Sequence, residues 1–470
     1  MRSYKVSTPA TWTAVAAVEL GLCAYFLVNG HHLDLLAIAT LGLAPIVAFL
    51  IVQRPFMFPY GLFVFLIPFN GLLTLPGIGT AGRALGVLSG GVLVLYALRK
   101  KKLVSPPAVV AAWLIYVMWA LASIMWALDP EQSVPGMSTL LQLFVLFAIV
   151  SITPSTRRDL ITVLAAAVVS GIVAGAYGGW TFYHQQSDAV ARAQAQLGRV
   201  LLESGENYVD SNAYADSLLF PLIVLTVLFL RERYKFRKAA LAGAAAIVLA
   251  GIYFSASRGA LIAYLAALIF MALASDYRRQ LAVFGGWVLA CSAAVPMIWM
   301  RFAHAVDTGG SGRISIWSTG LKAAGDHWLF GAGMNNFSRA YDAVYLNVFQ
   351  PYGAGWSRAS HDILVQNLVE LGLVGVIILA TALILQYRVL SLIPRGDSLY
   401  DYRLMLQASL IALLVASIFI DMILAKYLWF VLATMVQLRA VRLGEQPAAN
   451  ENETASERAA GAPLLALRTI

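Results

Sequence analysis

The chain has 470 residues, of which 60% are hydrophobic and only 12% are charged, and its mean hydropathy is +0.76. A soluble domain is about half apolar and a quarter charged, so this composition excludes an ordinary soluble protein and indicates a membrane protein. The net charge of +9 does not indicate nucleic-acid binding, because Lys and Arg lie in short clusters between apolar segments, as membrane topology requires.

The first apolar segment follows MRSYKVSTPATW without a small-residue cleavage site, which predicts a retained helix rather than a signal peptide. Crossing the hydrocarbon takes about 20 mostly apolar residues. We therefore predict an all-α polytopic membrane protein with 12–14 transmembrane helices, since several of fourteen candidates are short or interrupted and two could be re-entrant or interfacial. The candidates are 10–29, 33–52, 56–75, 83–98, 106–127, 137–153, 159–182, 213–230, 239–256, 259–274, 281–299, 361–386, 404–423 and 426–440.

Positive residues predict the orientation of these helices, because cytoplasmic loops carry an excess of Lys and Arg. The clusters fall in alternate loops, which places both termini in the cytoplasm. The chain then divides into N-terminal transmembrane helices with an outer segment 183–212, a large outer loop, C-terminal transmembrane helices and a disordered cytoplasmic tail. The four parts are 1–299, 300–360, 361–443 and 444–470.

The large outer loop contains RISIWSTGLKAAGDHWLF. Ile314, Trp317, Leu321 and Ala324 recur there at helical spacing, which predicts a short helix that lies on the membrane surface. Cys23 and Cys291 lie far apart in apolar segments, so neither a disulfide framework nor a thiol metal site is expected.

The outer segments contain more arginine than the positive-inside rule allows. Because a guanidinium donates paired hydrogen bonds and keeps its proton, this excess predicts an anionic ligand such as a diphosphate. Each residue has the alternative of pairing with lipid phosphates or nearby carboxylates. The arginines are Arg192, Arg199, Arg258, Arg301, Arg313, Arg339 and Arg358.

Two of the predicted sites lie at helix ends. Arg258, in SASRGALIAYL, stands between two predicted helices among small residues that let another group approach. A charge at membrane depth favours a functional role, and snorkelling to the headgroups is the alternative. His361, in SHDILVQNLVELGLVG, is predicted in the first helical turn, where its imidazole could accept a proton or simply anchor the helix.

Two further motifs are weaker. DHWLFGAGMNNF, with Asn335 and Asn336, is a Gly- and Asn-rich turn that could offer N–H groups to a phosphate or sugar, although such turns are common in loops. In ENYVDSNAYADSLLFPL, Asn212 could contact substrate or cap the helix that follows. The chain has no P-loop, HExxH motif, Cys/His ligand spacing or clustered outer carboxylates, so we expect no metal and no cofactor.

These motifs, taken in their order along the chain over residues 205–375, resemble those of the O-antigen ligase family. The family joins surface polysaccharide to lipid A-core and is related to O-antigen polymerases and protein O-oligosaccharyltransferases. The resemblance implies a glycosyltransferase of the bacterial inner membrane with its active site facing the periplasm. Its donor would be polysaccharide on undecaprenyl pyrophosphate, its acceptor a lipid A-core sugar hydroxyl, and transfer would invert the anomeric carbon.

The resemblance also implies residue roles. His361 falls on the family's general base and Arg258 on its pyrophosphate-binding arginine. Arg192, Arg199 and Arg313 are expected to assist the binding of pyrophosphate, with Asn212, Asn335, Asn336 and Asp362 as further substrate contacts. Asp362 stands where Asn is common in the family, and it should serve because both residues can cap a helix.

Two alternatives remain open from the sequence. A polymerase or a protein O-oligosaccharyltransferase would use the same donor and differ in its acceptor. A flippase or secondary transporter would instead place ionisable residues near mid-membrane, in broken helices of two related halves. Glu19 is the main isolated deep acid, and the polar groups crowd at one face, which favours surface chemistry.

Overall fold

The structure is a computed structural model, and it describes residues 51, 53–75, 79–185, 202–204, 207–294, 310, 312–349 and 355–460. Within these residues nearly all regular structure is helical. Two short antiparallel strand pairs connect helices: Thr74–Leu75 with Gly79–Thr80, and Leu202–Ser204 with Asn207–Val209.

The described α-helices are numbered here in chain order. They are α1 (Tyr60–Phe65), α2 (Ala81–Lys100), α3 (Ala108–Ala122), α4 (Pro130–Ile152), α5 (Arg157–Gln185), α6 (Ser211–Ser217), α7 (Leu219–Arg231), α8 (Lys235–Ser255), α9 (Arg258–Ala274), α10 (Arg278–Ala294), α11 (Arg313–Asp326), α12 (Phe337–Val344), α13 (Ile363–Arg388), α14 (Tyr400–Ala416) and α15 (Lys426–Ala460). Short 3-10 helices cover Ile67–Phe69, Ser123–Trp126 and Tyr345–Asn347.

Seven segments among the described residues are long and apolar enough to cross a membrane, which confirms the predicted all-α polytopic fold. They are Ala81–Lys100, Ala108–Trp126, Pro130–Ile152, Arg157–His184, Ser211–Arg231, Lys235–Ser255 and Ile363–Arg388. The total of 12–14 spans stays a prediction, because the candidate 10–29 and nearly all of 33–52 lie outside the described residues.

Small residues allow the helices to pack closely. A Cβ at Gly175 of α5 would lie 2.6 Å from the Ile247 carbonyl oxygen of α8, and one at Gly171 would lie 2.5 Å from Pro221 of α7. Such close backbone approach is typical of helices in lipid, where association depends on van der Waals contact. The contacts hold α5, α7 and α8 together beside the site described below.

Three predicted segments differ in the structure. The candidate 56–75 is not one helix, because α1 ends at Phe65 and a 3-10 helix that contains Pro68 follows. The candidate 404–423 ends at Ala416, and residues 417–425 form a loop. In the segment 444–470, which was predicted to be disordered, α15 continues as helix to Ala460.

The predicted surface helix exists as α11, and only part of its predicted apolar stripe is exposed. Ser315, Ile316 and Thr319 are among the residues that pack inward, whereas Ile314 and Leu321 are half exposed. Ile314 and Leu321 thus face away from the protein, where a membrane surface could cover them, as a surface helix requires. The other two members of the predicted stripe do not, because Ala324 is buried and Trp317 is partly buried.

α13 is broken at Gly372, whose φ of 67° and ψ of −171° lie outside the helical region. The break takes backbone groups of α13 out of its own hydrogen-bond ladder, and residues 328–333 pair with them. Unpaired backbone groups are costly at membrane depth, so the freed groups of α13 need partners. Residues 328–333 supply them, and this pairing ties the segment before α12 to α13. Four hydrogen bonds of 2.8 to 3.3 Å form the connection, from the N–H groups of Ala332, Gly333, Leu373 and Val374 to the carbonyls of Val369, Glu370, Trp328 and Leu329 respectively.

We predict that Gly372→Ala lowers the free energy of unfolding by at least about 2 kcal/mol. A Cβ at this position would lie 2.3 Å from the Leu329 carbonyl oxygen, on a backbone that L-residues rarely adopt. The measurement is the melting temperature of the purified protein in detergent. Gly243→Ala is the matched control, because a Cβ there meets no atom within 4 Å; equal melting temperatures for both variants would contradict this prediction.

Candidate functional site

The candidate site lies where α9, α11 and α13 begin, at one end of the helix bundle. The loop 417–425 between α14 and α15, called here the central loop, contacts all three helix starts. Arg258 at the start of α9 and His361 just before α13 therefore lie at the same end of the bundle, as the sequence prediction required.

Arg258 is the first residue of α9, and its side chain is partly buried. Ser257 caps the helix by accepting a hydrogen bond from the Ala260 N–H at 3.4 Å. The sharp turn from α8 depends on Ala256, which has a φ of 49°. Gly259 packs against Phe419 of the central loop, where an added Cβ would lie 2.9 Å from the ring. The small residues thus bring the start of α9 directly against the central loop.

Arg313 is the first residue of α11 and contacts the same part of the central loop. Its Nη2 donates a hydrogen bond of 2.9 Å to the Phe419 carbonyl oxygen, and its guanidinium lies 5.6 Å from the Phe419 ring centre. Phe419 is therefore shared by the helix starts that carry Arg258 and Arg313. The structure brings the helix starts that carry two of the predicted anion-binding arginines against one residue.

The sequence predicted His361 in the first turn of α13, but His361 precedes that helix. Its φ is 51°, an uncommon conformation for a residue with a side chain. The backbone on both sides is fixed: the Ser360 carbonyl accepts from Trp317 Nε1 at 2.9 Å, and the Ile363 N–H donates to the Ser417 carbonyl at 2.9 Å. His361 is therefore held between α11 and the central loop.

The half-buried imidazole of His361 has no hydrogen-bond partner among the residues that the structure describes. Its pKa is lowered from the ordinary value of 6.5 by burial and by the positive charge of Arg313; Asp210 opposes this and Arg358 adds to it. The ring is therefore mainly neutral at pH 7 and can accept a proton.

Asp362 acts as the N-cap of α13 and accepts hydrogen bonds of 2.8 Å from the Leu364 and Val365 N–H groups. Burial raises its pKa, and these two hydrogen bonds oppose the rise. Asn212 does not cap α6: the cap is Asp210, which accepts from the Asn212 and Ala213 N–H groups at 2.9 and 3.1 Å. The alternative that Asn212 caps the helix therefore does not apply, and its assignment as a substrate contact stays a prediction.

Asn335 and Asn336 make contacts inside the protein. Asn336 is fully buried: its Oδ1 accepts from the Asp129 N–H at 2.7 Å, and its Nδ2 donates to Ser133 Oγ at 2.8 Å. Asn335 Nδ2 donates to the Gln132 carbonyl at 2.6 Å. Both amides fasten the loop before α12 to the start of α4, a role that the Gly- and Asn-rich pattern does not reveal.

The remaining outer arginines separate into groups. Arg339 forms an ion pair of 2.9 Å with Asp129, so the alternative of carboxylate pairing applies to it. Arg358 is exposed and close enough to His361 to affect its pKa. Arg192, Arg199 and Arg301 lie outside the described residues, and the assignment of Arg192 and Arg199 to the pyrophosphate stays a prediction.

Sequence reasoning missed four contributors to this end of the bundle: the Phe419 carbonyl, Asp210, Lys426 and Arg83. The central loop, SIFIDMILA, is mostly apolar and continues a predicted span, so its sequence does not mark it as part of a site. Lys426 and Arg83 lie at the starts of α15 and α2, inside or at the edge of apolar candidates.

A comparison with known families matches residues 243–380 to the model described as O-Antigen ligase. The matched segment begins within α8 and ends within α13, and it includes Arg258, Arg313 and His361. It confirms the family resemblance for this part of the chain. No curated protein sequence matches the chain significantly.

We predict that Arg313→Gln raises the pKa of His361, because it removes a positive charge that disfavours the imidazolium. The wild-type ring should become protonated only as the pH falls below 6.5, whereas the ring in the variant should take up its proton at a higher pH. An NMR titration of the labelled His361 ring measures this directly. The pH dependence of activity would report less directly on His361, because burial also raises the pKa of Asp421, to about 6.

Arg313→Lys is the control for this titration, since it keeps the charge and should keep the pKa of His361 low. If Arg313→Gln and the wild type titrate at the same pH, the two side chains do not interact as the structure indicates.

Proposed function

Because residues 243–380 carry the domain of the O-antigen ligase family, we propose that the chain is a membrane glycosyltransferase that transfers polysaccharide from undecaprenyl pyrophosphate to a lipid A-core sugar hydroxyl. The observation that carries the proposal is the convergence of Arg258, Arg313 and the neutral His361 on the central loop. A diphosphate and a hydroxyl nucleophile need these two chemistries side by side: fixed cations and a proton acceptor.

The arginines would act on the leaving group. As the bond between the anomeric carbon and the diphosphate oxygen breaks, negative charge grows on the diphosphate, and guanidinium donors stabilise that charge through short charge-assisted hydrogen bonds. Both arginines belong to the first turns of helices, α9 and α11, whose N-termini add positive potential. The transfer proposed here uses these fixed cations and needs no metal ion.

His361 would act on the nucleophile. Its neutral ring removes the proton of the acceptor hydroxyl while the oxygen bonds to the anomeric carbon from the face opposite the diphosphate. The electrons of the broken bond leave with undecaprenyl pyrophosphate, and the imidazolium later releases its proton to water. The direct displacement gives inversion at the anomeric carbon.

We place this chemistry on the periplasmic face of a bacterial inner membrane. The cation clusters at the opposite helix ends, for example Lys100 at the end of α2 and Lys235 at the start of α8, support a cytoplasmic location for those ends. The lipid tails of donor and acceptor would lie in the bilayer, so their reacting groups would meet at a defined depth.

The acceptor distinguishes this proposal from a polymerase, which would extend a second lipid-linked glycan, and from a protein glycosyltransferase. A lipid-linked glycan flippase would move the donor without forming a covalent product. One assay separates all four: purified protein, the lipid-linked donor, and lipid A-core, lipid-linked glycan or protein as the acceptor, with EDTA present. Product on lipid A-core supports the proposal.

We predict that His361→Ala lowers the rate of transfer to lipid A-core by about 10²–10⁴-fold, the usual contribution of a general base. Burial of the wild-type ring is partial, so the variant should still fold, and its melting temperature checks this. His327→Ala is the matched control, a second half-buried histidine in the same outer region. Full activity in His361→Ala, or equal losses in both variants, would reject the base assignment.

We predict that Arg258→Lys weakens transfer by about tenfold to hundredfold, the equivalent of one or two hydrogen bonds to a charged group. The ammonium keeps the charge and loses the planar fork that matches two phosphate oxygens. Rates at saturating donor and the donor Kd are to be measured together. If neither changes, Arg258 is an interface anchor and not a ligand of the diphosphate.

A further inference from the structure

A second group of cations lies at the C-terminal end of the central loop. Lys426, the first residue of α15, donates hydrogen bonds to Asn70 Oδ1 and, at 3.3 Å, to Thr80 Oγ1. Arg83, the third residue of α2, lies close enough to repel the charge of Lys426. Its own Nη2 donates at 3.4 Å to Ser138 Oγ. The starts of α2 and α15 thus hold two like charges together.

This arrangement is electrostatically unfavourable without a ligand. Among the described residues neither cation has a carboxylate within ion-pair distance. Both occupy the first turn of a helix, the end where the helix dipole already favours anions, and neither helix has an acidic residue in that turn. The two positive charges and the two positive helix ends therefore reinforce one another, and the described protein supplies no compensating negative charge.

The site also has unused donors. The Lys426 ammonium rests against the backbone of Gly82, where an added Cβ would lie 2.8 Å from Nζ. An ammonium has three donors and a guanidinium five, and the described protein acceptors use two of the former and one of the latter. Arg83 is exposed while Lys426 is partly buried, so the group opens outward.

We propose that Arg83 and Lys426, with Asn70 and Thr80 around them, bind a phosphate group of the acceptor lipid. The assignment to the acceptor rests on the proposed function, in which two anionic lipids meet at this end of the bundle. Arg258 and Arg313, on the Phe419 side of the central loop, would hold the diphosphate of the donor. A phosphate monoester on a sugar carries nearly two negative charges and three acceptor oxygens, which match the two cations.

The test measures binding and not transfer. The full chain is purified in neutral detergent, and Kd values are measured for bisphosphorylated lipid A, the same lipid after enzymatic dephosphorylation, undecaprenyl pyrophosphate, phosphatidylglycerol and inorganic phosphate. Wild type should bind bisphosphorylated lipid A at least about tenfold more tightly than its dephosphorylated form, since charged hydrogen bonds are lost. Lys426→Gln and Arg83→Gln should each remove most of this difference and leave undecaprenyl pyrophosphate binding unchanged.

Lys322→Gln is the matched control, because Lys322 is an exposed lysine of α11 and should not affect binding of any probe. Arg258→Gln should show the reverse selectivity and weaken only undecaprenyl pyrophosphate. If Lys426→Gln does not fold, the exposed Arg83→Gln still decides the question.

Three outcomes would overturn the proposal. Unchanged lipid A binding in both variants excludes the site, and weakened undecaprenyl pyrophosphate binding assigns it to the donor. Equal losses for lipid A, phosphatidylglycerol and inorganic phosphate would make it a general phosphate site with no acceptor role. Failure of the proposed function is visible separately, as absence of transfer while the selective lipid A binding persists.

Discussion

The geometry of the candidate site depends on the pairing of the broken helix α13 with residues 328–333. At membrane depth each backbone donor and acceptor needs a partner, so the break at Gly372 is possible only where another segment supplies one. The buried Glu370 extends the same connection, because its carboxylate accepts from the Phe337 N–H at 3.1 Å and from Gln366 Nε2 at 2.5 Å. Through these bonds α12 and the start of α13 form one unit.

Positive charge at helix starts is the second organising feature. Acidic residues are favoured in the first turn of a helix and cations in the last. At this end of the bundle α2, α9, α11 and α15 have no acidic residue in the first turn and each carries a cation there. These cations cost stability in the protein without ligand, and the anion proposed to bind there would offset that cost. The four cations at these helix starts are Arg83, Arg258, Arg313 and Lys426.

Much of the fold was predictable because hydropathy reports directly on lipid as a solvent. The same signal failed where an apolar stretch is not a span. The central loop continues the hydrophobic run of α14, and nothing in its composition shows that it turns back beneath Arg313. In α11 the predicted apolar stripe is divided, with Ile314 and Leu321 half exposed and Ala324 buried, since helical spacing identifies an apolar face and does not say whether protein or lipid covers it.

For the site, residue type predicted chemistry better than it predicted contacts. Arg258 and His361 do lie at one end of the bundle, since both begin helices that the hydropathy pattern locates. Asn336 is different, because an amide in a Gly-rich turn can face a ligand or the protein. It faces the protein here, since it donates a hydrogen bond to Ser133 of α4, and the sequence of the turn does not show where Ser133 lies. Lys426 was not predicted as a site residue, because a single lysine at the edge of an apolar run usually marks the membrane–water interface.

The orientation of His361 has an unusual physical basis. Catalytic histidines are commonly oriented by a carboxylate or carbonyl that accepts from the second ring nitrogen. Here the described residues supply no such acceptor, and what is fixed is the backbone that carries the ring. A φ of 51° costs about 1–3 kcal/mol for such a residue, and it persists only because the neighbours overdetermine it. Ser360 is held by Trp317, and Ile363 by Ser417, so the residue between them has little freedom. Because none of the described residues engages the ring, both ring nitrogens remain available for the proposed transfer, in which one would accept the proton of the nucleophile and the other would face the water that finally takes a proton.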